Sequence, residues 1–461
     1  MMERGPTVTI ASEIPVPQTW QGHRRAGRTR AGYAMFVLFI VNLVGYLDRQ
    51  VLSLLVQPIK QSLGLSDGMI GLVQGAAFVI TFAIAGLIIG RRVDHGNRRN
   101  LLLLCIAIWT VGAAAGGFAQ AGWQLFAARM AVGAGEAALV PCAISLISDF
   151  YPSEKRGQAL GLFSMGIYAG AGLSLILVGF AMPSVEQFSL ALAARGIALE
   201  PWRIVLILLL APGLVACLAL ATLEEPARRD TSQTSGGSAL DGFSGWWSRR
   251  RIYIPHHVGW AMANLCQYAI TGWFPTVLIR EYGYDAKSAG LTYGALIVIV
   301  GIVAAVFGGR FSDRAVGRFG AVGRIGSASV FIALAIVGFL LIGSGHTANL
   351  AVTGAGCVAF GMGAMMVIGL TSLADLSPPQ SRGQVSAIFL VIITIIGTAG
   401  GPAMVGYGND WFGGPDVPLS RVLAWVGCIS ASVSIGLVLL TVLQIRRSPD
   451  FVRDANETHD D

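Results

Sequence analysis

Four charged residues stand inside long apolar stretches of this chain, and we refer to them as the charge quartet. Asp48 and Arg49 are adjacent in one stretch, and Arg129 and Glu136 stand in another. A charged side chain costs about 2.5–3.5 kcal/mol at the centre of a membrane helix on insertion scales. The four formal charges sum to zero, so we expect them to be paired, hydrated or titrated rather than isolated in hydrocarbon.

Each member of the quartet has a chemistry suited to transport across a membrane. Burial disfavours the charged form of a carboxylate and a nearby arginine favours it, which makes Asp48 and Glu136 candidate proton acceptors. The planar guanidinium groups of Arg49 and Arg129 are suited to binding an anionic head group. All four fall within about 11 Å of membrane depth at 1.5 Å per helical residue. A purely structural salt-bridge network is the alternative.

The composition shows which elements must position these charges. Of 461 residues, 54% are hydrophobic and 12% are charged. An average soluble domain is about 25% charged, which excludes a soluble enzyme, a nucleic-acid-binding module and a disordered scaffold. A membrane helix needs about 20 apolar residues. The charge-poor runs therefore predict twelve spans, α1 to α12, at 33–56, 69–90, 101–119, 124–147, 157–180, 202–222, 253–279, 289–309, 325–343, 349–373, 383–406 and 421–445.

Lysine and arginine are distributed unevenly between alternate loops. With the N-terminus inside, 24 of the 32 basic residues fall in segments on the cytoplasmic side. Basic residues are retained on that side of a membrane, so both termini are predicted to be cytoplasmic. Topology and contact with anionic lipid then explain the net charge of +7 without nucleic acid as a partner.

Two local patterns occur twice, which indicates an internal repeat. The segment from Gly90 to Arg99 matches the one beginning at Gly309, with an offset of 219 residues. The segment from Asp149 to Gln158 matches 375–384, with an offset of 226 residues. Parallel six-helix repeats are typical of transporters that bind their substrate between the halves. The chain is therefore predicted to comprise a tail (1–30), a first half (31–222), a linker (223–252), a second half (253–445) and a second tail (446–461).

Three segments resemble those of a known family. Gly90 to Arg99 resembles the signature loop of the major facilitator superfamily, with His95 in place of arginine and Asn97 in place of glycine. The segment from Arg129 to Glu136 resembles the superfamily's motif in α4. The adjacent Asp48 and Arg49 in α1 resemble the Asp-Arg pair in the first helix of the Spinster subgroup. The resemblance implies an all-α membrane protein of twelve helices in two parallel repeats, working by alternating access.

The resemblance also implies a lock at the cytoplasmic ends of the helices in the outward-open state. Asp94 is expected to face the N-terminus of α11, where unpaired N–H groups favour an anion. Arg98 or Arg99 is expected to pair with Asp149, and Asp313 to face α5. Ordinary interfacial charges that set topology are the alternative. The residues implied in this lock are Asp94, Arg98, Arg99, Asp149, Asp313 and Arg314.

The second half lacks a counterpart of the quartet. None of the predicted spans α7 to α12 carries Asp, Glu, Lys or Arg in its interior. This asymmetry indicates that the first half carries ion coupling, while the second half supplies an apolar and aromatic wall. Ordinary helix packing is the alternative for the wall residues. The candidates for the cavity wall are Tyr46, Tyr268, Trp273, Phe274, Met362, Met365 and Met366.

These features predict a secondary active transporter, coupled to protons, for an amphiphilic or lipid-like organic anion. A small carboxylate or sugar acid is the alternative substrate, and a channel or lipid scramblase is the alternative class. The six cysteines lie in apolar runs without metal-ligand spacing, and no phosphate-binding loop occurs, so neither an enzyme nor a metal site is predicted. The proton is the only cofactor expected. The protein is predicted to be a monomer in a bacterial inner membrane, in contact with membrane lipid.

Overall fold

The structure, a computed structural model, describes residues 18–228, 246–377 and 382–448. Most of the predicted linker and much of both predicted tails fall outside these ranges. The described part is built from long helices, and its spans follow the predicted order. Their bounds are α1 Gln18–Leu54, α2 Asp67–Gln74 and Ala76–His95, α3 Arg98–Ala115, α4 Gly122–Glu136 and Leu139–Phe150, α5 Ser153–Ala193, α6 Pro201–Leu208 and Leu210–Ala221, α7 Arg250–Tyr282, α8 and α9 together Ala286–Gly343, α10 Ala348–Leu376, α11 Arg382–Ile392, Ile393–Ala399 and Gly400–Phe412, and α12 Leu419–Arg446.

Among the described residues, eleven helices are long and apolar enough to cross a membrane. They include two within Ala286–Gly343, because Gly320 has φ +66° and separates α8 from α9. The one predicted span that is not among these eleven is α7. It has 33 residues but is less apolar than the other spans. Most of its residues are buried, including two histidines and Asn264. Its polar side chains therefore contact protein rather than lipid, which explains its lower hydropathy.

The same ion pair occurs at equivalent positions of the two repeats. Arg98 contacts Asp149 in the first half, and Arg324 Nε donates to Asp375 at 2.6 Å in the second. Both members of the second pair stand 226 residues after those of the first. The repeat detected in sequence is therefore also present in the tertiary contacts.

The two halves contact each other on the side opposite the termini, which we call the far side. There α2 packs on α11 and α5 packs on α8. A Cβ atom on Gly294 of α8 would lie only 2.6 Å from the carbonyl oxygen of Gly172 in α5. On the side of the termini, Cβ atoms on Gly90 and Gly157 would meet no described atom within 4 Å. The described part of the chain is thus closed on the far side and open on the side of the termini.

Candidate functional site

Breaks in three helices lie close to the charge quartet. The α2 helix breaks at Gly75, α4 breaks after Glu136, and α11 contains a π-helical segment at Ile393–Ala399. A Cβ atom on Gly75 would lie 2.7 Å from the carbonyl oxygen of Ala399, so the break in α2 touches the π segment. Interrupted helices and π segments are common at transporter binding sites. These breaks therefore mark the region where a site is expected.

Glycines allow the charged helices to approach one another closely. A Cβ atom on Gly133 of α4 would overlap the carbonyl oxygen of Phe78 in α2. A Cβ atom on Gly135 would lie 2.5 Å from the carbonyl oxygen of Cys105 in α3. Small residues at such crossings let helix backbones approach. The glycines that follow Arg129 in the sequence motif therefore seat α4 between α2 and α3.

Arg49 forms an ion pair with Glu136 across the contact between α1 and α4. The distance from Arg49 Nε to Glu136 Oε2 is 2.5 Å, and the Glu136 side chain is fully buried. The guanidinium carbon of Arg49 also lies 4.8 Å from the ring centroid of Tyr46 and 4.5 Å from that of Phe78. Aromatic faces attract a cation in this geometry. Arg49 is thus held by one carboxylate and two rings.

Asp48 and Arg129 are brought together without a bond between their side chains. Arg129 Nη1 donates to the backbone carbonyl of Asp48 at 3.2 Å. Asp48 Oδ1, Arg129 Nε and Glu136 Oε1 are all buried without a hydrogen-bond partner. Buried polar groups normally have partners, so three such atoms within one cluster indicate a functional role. Only part of the quartet is internally satisfied.

A narrow space of about 30 Å³ between the two halves, which we call the central cleft, lies beside the quartet. Both arginines reach it, whereas Asp48 lines a separate cavity bounded by α3, α4 and α6. Arg129 lines both spaces. The cleft therefore presents cations, and the carboxylates stand behind them. Its lining residues are Arg49, Gln50, Ser53, Gln74, Phe78, Arg129, Tyr268, Thr271, Gly272, Thr398 and Pro402.

The structure separates the residues predicted to form a cavity wall. Tyr268 lines the central cleft, and Tyr46 lies against Arg49. Trp273 and Phe274 are fully buried, and the Trp273 indole N–H donates to the carbonyl of Pro402 at 2.9 Å. The remaining candidates are methionines of α10. Met362 and Met365 are buried in the core, and Met366 is half-buried.

The residues predicted to lock the cytoplasmic ends are mostly paired within one half. Arg98 contacts Asp149, Glu225 and Ser145, while Arg99 bonds to the last carbonyls of α6. Asp313 accepts a bond from Arg324 at 3.2 Å, and Arg314 is exposed. The side chain of Asp94 falls outside the described ones. A role for these residues in gating stays a prediction, because the ends are apart in this conformation.

The sequence patterns did not predict a polar cluster that joins the halves on the far side, which we call the far-side cluster. Asp67 at the start of α2 accepts two bonds from Arg280 of α7, both at 2.7 Å. Lys60 and Asn409 also bond to Asp67, at 2.9 and 2.7 Å. Asp410 of α11 accepts the backbone N–H groups of Asp67 and Gly68, as an anion at a helix N-terminus does. The sequence signal for this cluster was the presence of Lys60 and Arg280 between predicted spans on the far side, where basic residues are otherwise rare.

The second half buries a chain of hydrogen bonds through two histidines, which we call the histidine chain. The indole N–H of Trp246 donates to His257 Nε2 at 3.3 Å. The Nδ1 atoms of His257 and His256 are 3.2 Å apart, and His256 Nε2 lies 2.9 Å from the Ser372 hydroxyl. Ser372 in turn donates to the carbonyl of Gly369 at 2.8 Å. This order of donors and acceptors is satisfied when each histidine carries a single proton.

Comparison with known proteins identifies the family. The model of the Major Facilitator Superfamily matches residues 38–402. This chain belongs to the major facilitator superfamily. An efflux pump of the superfamily from Mycolicibacterium smegmatis is 27% identical over 397 residues, covering 84% of this chain and 86% of the relative. Protein spinster homolog 1 of Mus musculus is 25% identical over 441 residues, covering 87% of this chain and 77% of the relative.

A solved structure shows the same fold. The crystal structure of a bacterial homolog of Spinster, in an inward-facing and unoccupied conformation, superimposes with a TM-score of 0.72 at 23% identity. The alignment covers 93% of this chain and 97% of that one. The predicted superfamily, its twelve-helix fold and the similarity to Spinster proteins are confirmed. The superfamily member described here is an integral membrane transporter for a small molecule rather than an enzyme, and its similarity to bacterial relatives fits a bacterial inner membrane.

Proposed function

We propose that this superfamily member is a proton-coupled secondary transporter of an organic anion. The observation that carries the proposal is the charge quartet, buried in the first half with its arginines lining the central cleft between the halves. With the termini in the cytoplasm, as the sequence predicts, the open side faces the cytoplasm. An anion in the central cleft would contact the two arginines, because neither carboxylate of the quartet lines it.

The ion pair between Arg49 and Glu136 supplies a route for coupling. Protonation of Glu136 would remove its charge and release Arg49 to bind an anion. Protonation of Asp48 would act in the same direction on Arg129, whose Nε has no partner. A neutral carboxylate also lowers the electrostatic cost of moving these helix faces between states. Proton and anion would then move through the same conformational cycle.

The substrate class that we propose is the one predicted from the sequence, an amphiphilic anion. A cationic site inside a wall of apolar helices suits a charged head group with a hydrocarbon tail. A small carboxylate or sugar acid stays the alternative, because the two arginines would bind its carboxylate equally well.

Proton coupling can be tested in liposomes that contain the purified protein and a pH-sensitive dye. An anionic lysophospholipid and a sugar acid serve as probes, each added with and without a pH gradient. We expect anion-dependent proton flux in the native protein and its loss in Asp48→Asn and Glu136→Gln. Asp416→Asn and Glu186→Gln change exposed carboxylates and serve as matched controls. Native coupling in both quartet variants would overturn the proposal.

The same vesicles distinguish a transporter from a channel or scramblase. A channel or scramblase moves its substrate down its gradient without moving protons, and a channel carries current continuously. A transporter couples the two fluxes at a fixed ratio and accumulates substrate against its gradient. Accumulation in native vesicles would exclude the alternative class.

A further inference from the structure

The central cleft carries neutral hydrogen-bonding groups beside its two arginines. They come from both halves of the protein, which is expected of a site that senses closure around a ligand. Such groups are uncommon in the middle of a membrane unless they serve a site. The neutral polar residues of the cleft are Gln50, Ser53, Gln74, Thr271 and Thr398.

Gln74 lines the central cleft, and the nitrogen of its side-chain amide has no partner. It ends the first segment of α2, directly before the break at Gly75. Its Oε1 would lie 2.6 Å from a Cβ atom on Gly272, so the glycine lets the amide approach α7 without a shift. Its Nε2 is buried without a hydrogen-bond partner. A buried donor without a partner is unfavourable in the empty protein and is satisfied by a ligand that brings an acceptor.

Two threonines face the cleft from the second half with their hydroxyls oriented by neighbours. The amide of Gln267 donates to the Thr271 hydroxyl at 3.0 Å, and this hydroxyl donates to the carbonyl of Gln267 at 2.6 Å. Thr398 lies in the π segment of α11, where Asn264 Nδ2 approaches its hydroxyl at 3.5 Å. Asn264 also donates to the carbonyl of Ile393 at 3.0 Å, which holds the π segment. These hydroxyls are positioned before any ligand arrives.

The charges of the cleft define the rest of the ligand. The guanidinium groups of Arg49 and Arg129 line it, and neither Asp48 nor Glu136 does. A ligand that satisfies both the cations and the neutral groups bears an anionic group and several hydroxyls. We infer that the central cleft selects an anion by its hydroxyl groups, with Gln74 as the side chain that sets this preference. This inference rests on the proposed function as an anion transporter.

The required chemistry is a hydroxyl-rich anionic group, which two kinds of molecule supply. One is a free sugar acid, and the other is an amphiphile with a sugar-acid head. Three probes separate these cases: D-glucuronate, cyclohexanecarboxylate as its ring counterpart without hydroxyls, and octyl glucuronide as the same head with a tail. Calorimetric titration of the purified full chain in detergent measures binding of each without a proton gradient.

We expect the native protein to bind glucuronate about tenfold or more tightly than cyclohexanecarboxylate, because a site built for hydroxyls rejects an analogue that lacks them. Gln74→Leu should reduce this ratio to near one while keeping weak binding of both carboxylates through the arginines. Gln120→Leu changes an exposed loop glutamine in the same way and should leave the ratio unchanged. Thermal unfolding of each variant shows whether it remains folded.

Equal binding of the two ring carboxylates by the native protein would overturn the inference, as would a Gln74→Leu variant that keeps the native ratio. Absence of binding by all three probes would also overturn it. Tighter binding of octyl glucuronide than of glucuronate would support the inference and assign the amphiphile as the source. Because binding is measured without a gradient, this result remains interpretable even if the native protein shows no proton coupling, which would contradict the proposed function alone.

Discussion

The two halves of the protein bury polar groups in different ways. The first half holds four formal charges at mid-membrane, and three buried atoms among them lack partners. The second half holds the histidine chain, a neutral series in which each hydrogen bond leads to the next. Isolated charges are costly in a membrane, whereas a satisfied neutral network is not. The difference supports the proposal that the first half changes its charge state during transport, while the second half keeps its shape.

The largest expected effect comes from breaking the ion pair of the quartet. Arg49→Ala leaves Glu136 as an unpaired buried charge, which should lower the free energy of unfolding by about 3–5 kcal/mol. The double variant Arg49→Ala/Glu136→Gln removes both charges and should recover a large part of that loss. Thermal unfolding in detergent measures both. Equal stability of the single and double variants would contradict the pairing.

The repeated ion pair allows a direct comparison of the halves. Arg98 is 1% exposed and bonds to two carboxylates, so Arg98→Gln should cost about 2–3 kcal/mol. Arg324 is 14% exposed, and its partners Asp375 and Asp313 are 18% and 71% exposed, so solvent should limit the cost of Arg324→Gln to about 1 kcal/mol. Chemical unfolding of the two variants gives the difference. A larger loss for Arg324→Gln would reverse the ranking.

The far-side cluster should control which conformation is populated. Arg280→Gln removes two charge-assisted bonds between the halves, worth about 1.5–3 kcal/mol, so the closed far side should lose roughly tenfold or more in population. Spin labels at Gln61→Cys and His346→Cys, at exposed far-side positions of opposite halves, should report a longer distance. Arg421→Gln breaks a bond within the second half only and is the control. An unchanged distance distribution in Arg280→Gln would rule out a gating role.

The smallest effect is expected in the histidine chain. Ser372→Ala removes the acceptor for the His256 ring N–H, and we expect a loss of about 1 kcal/mol with proton coupling unchanged. Ser329→Ala is the matched control, because the Ser329 hydroxyl has no partner and its loss should be neutral. Unfolding and the vesicle assay are run side by side. A changed coupling ratio in Ser372→Ala would show that the second half also handles protons.

Much of the fold could be predicted because membrane spans are set by simple composition. Runs of apolar residues and the loop repeats sufficed for twelve helices in two halves, even for α7, whose hydropathy is low. The breaks at Gly75 and in the π segment could not be predicted, because their cause is the close contact between α2 and α11. Local sequence carries little information on such packing.

The site could be predicted by residue type but not by partner. The cost of a buried charge singled out the quartet, yet both Arg49 and Arg129 were possible partners for Glu136. The choice depends on the direction in which α1 presents its neighbouring side chains to α4. Arg324 was missed although the 226-residue offset from Arg98 points to it. The sequence did not single out the neutral residues around Gln74, because glutamine and threonine carry no charge that would mark them as unusual inside a membrane span.

The glycines on one side of α2 give the far-side contact a further consequence. A Cβ atom on Gly68 would lie 2.5 Å from the Tyr407 ring, one on Gly71 would overlap the carbonyl of Pro402, and the α2 break abuts α11 in the same way. A single added methyl group would therefore clash within the tightly packed interface between α2 and α11. Gly71→Ala should therefore hold the two halves apart on the far side, and so favour the state of the cycle in which that side is open.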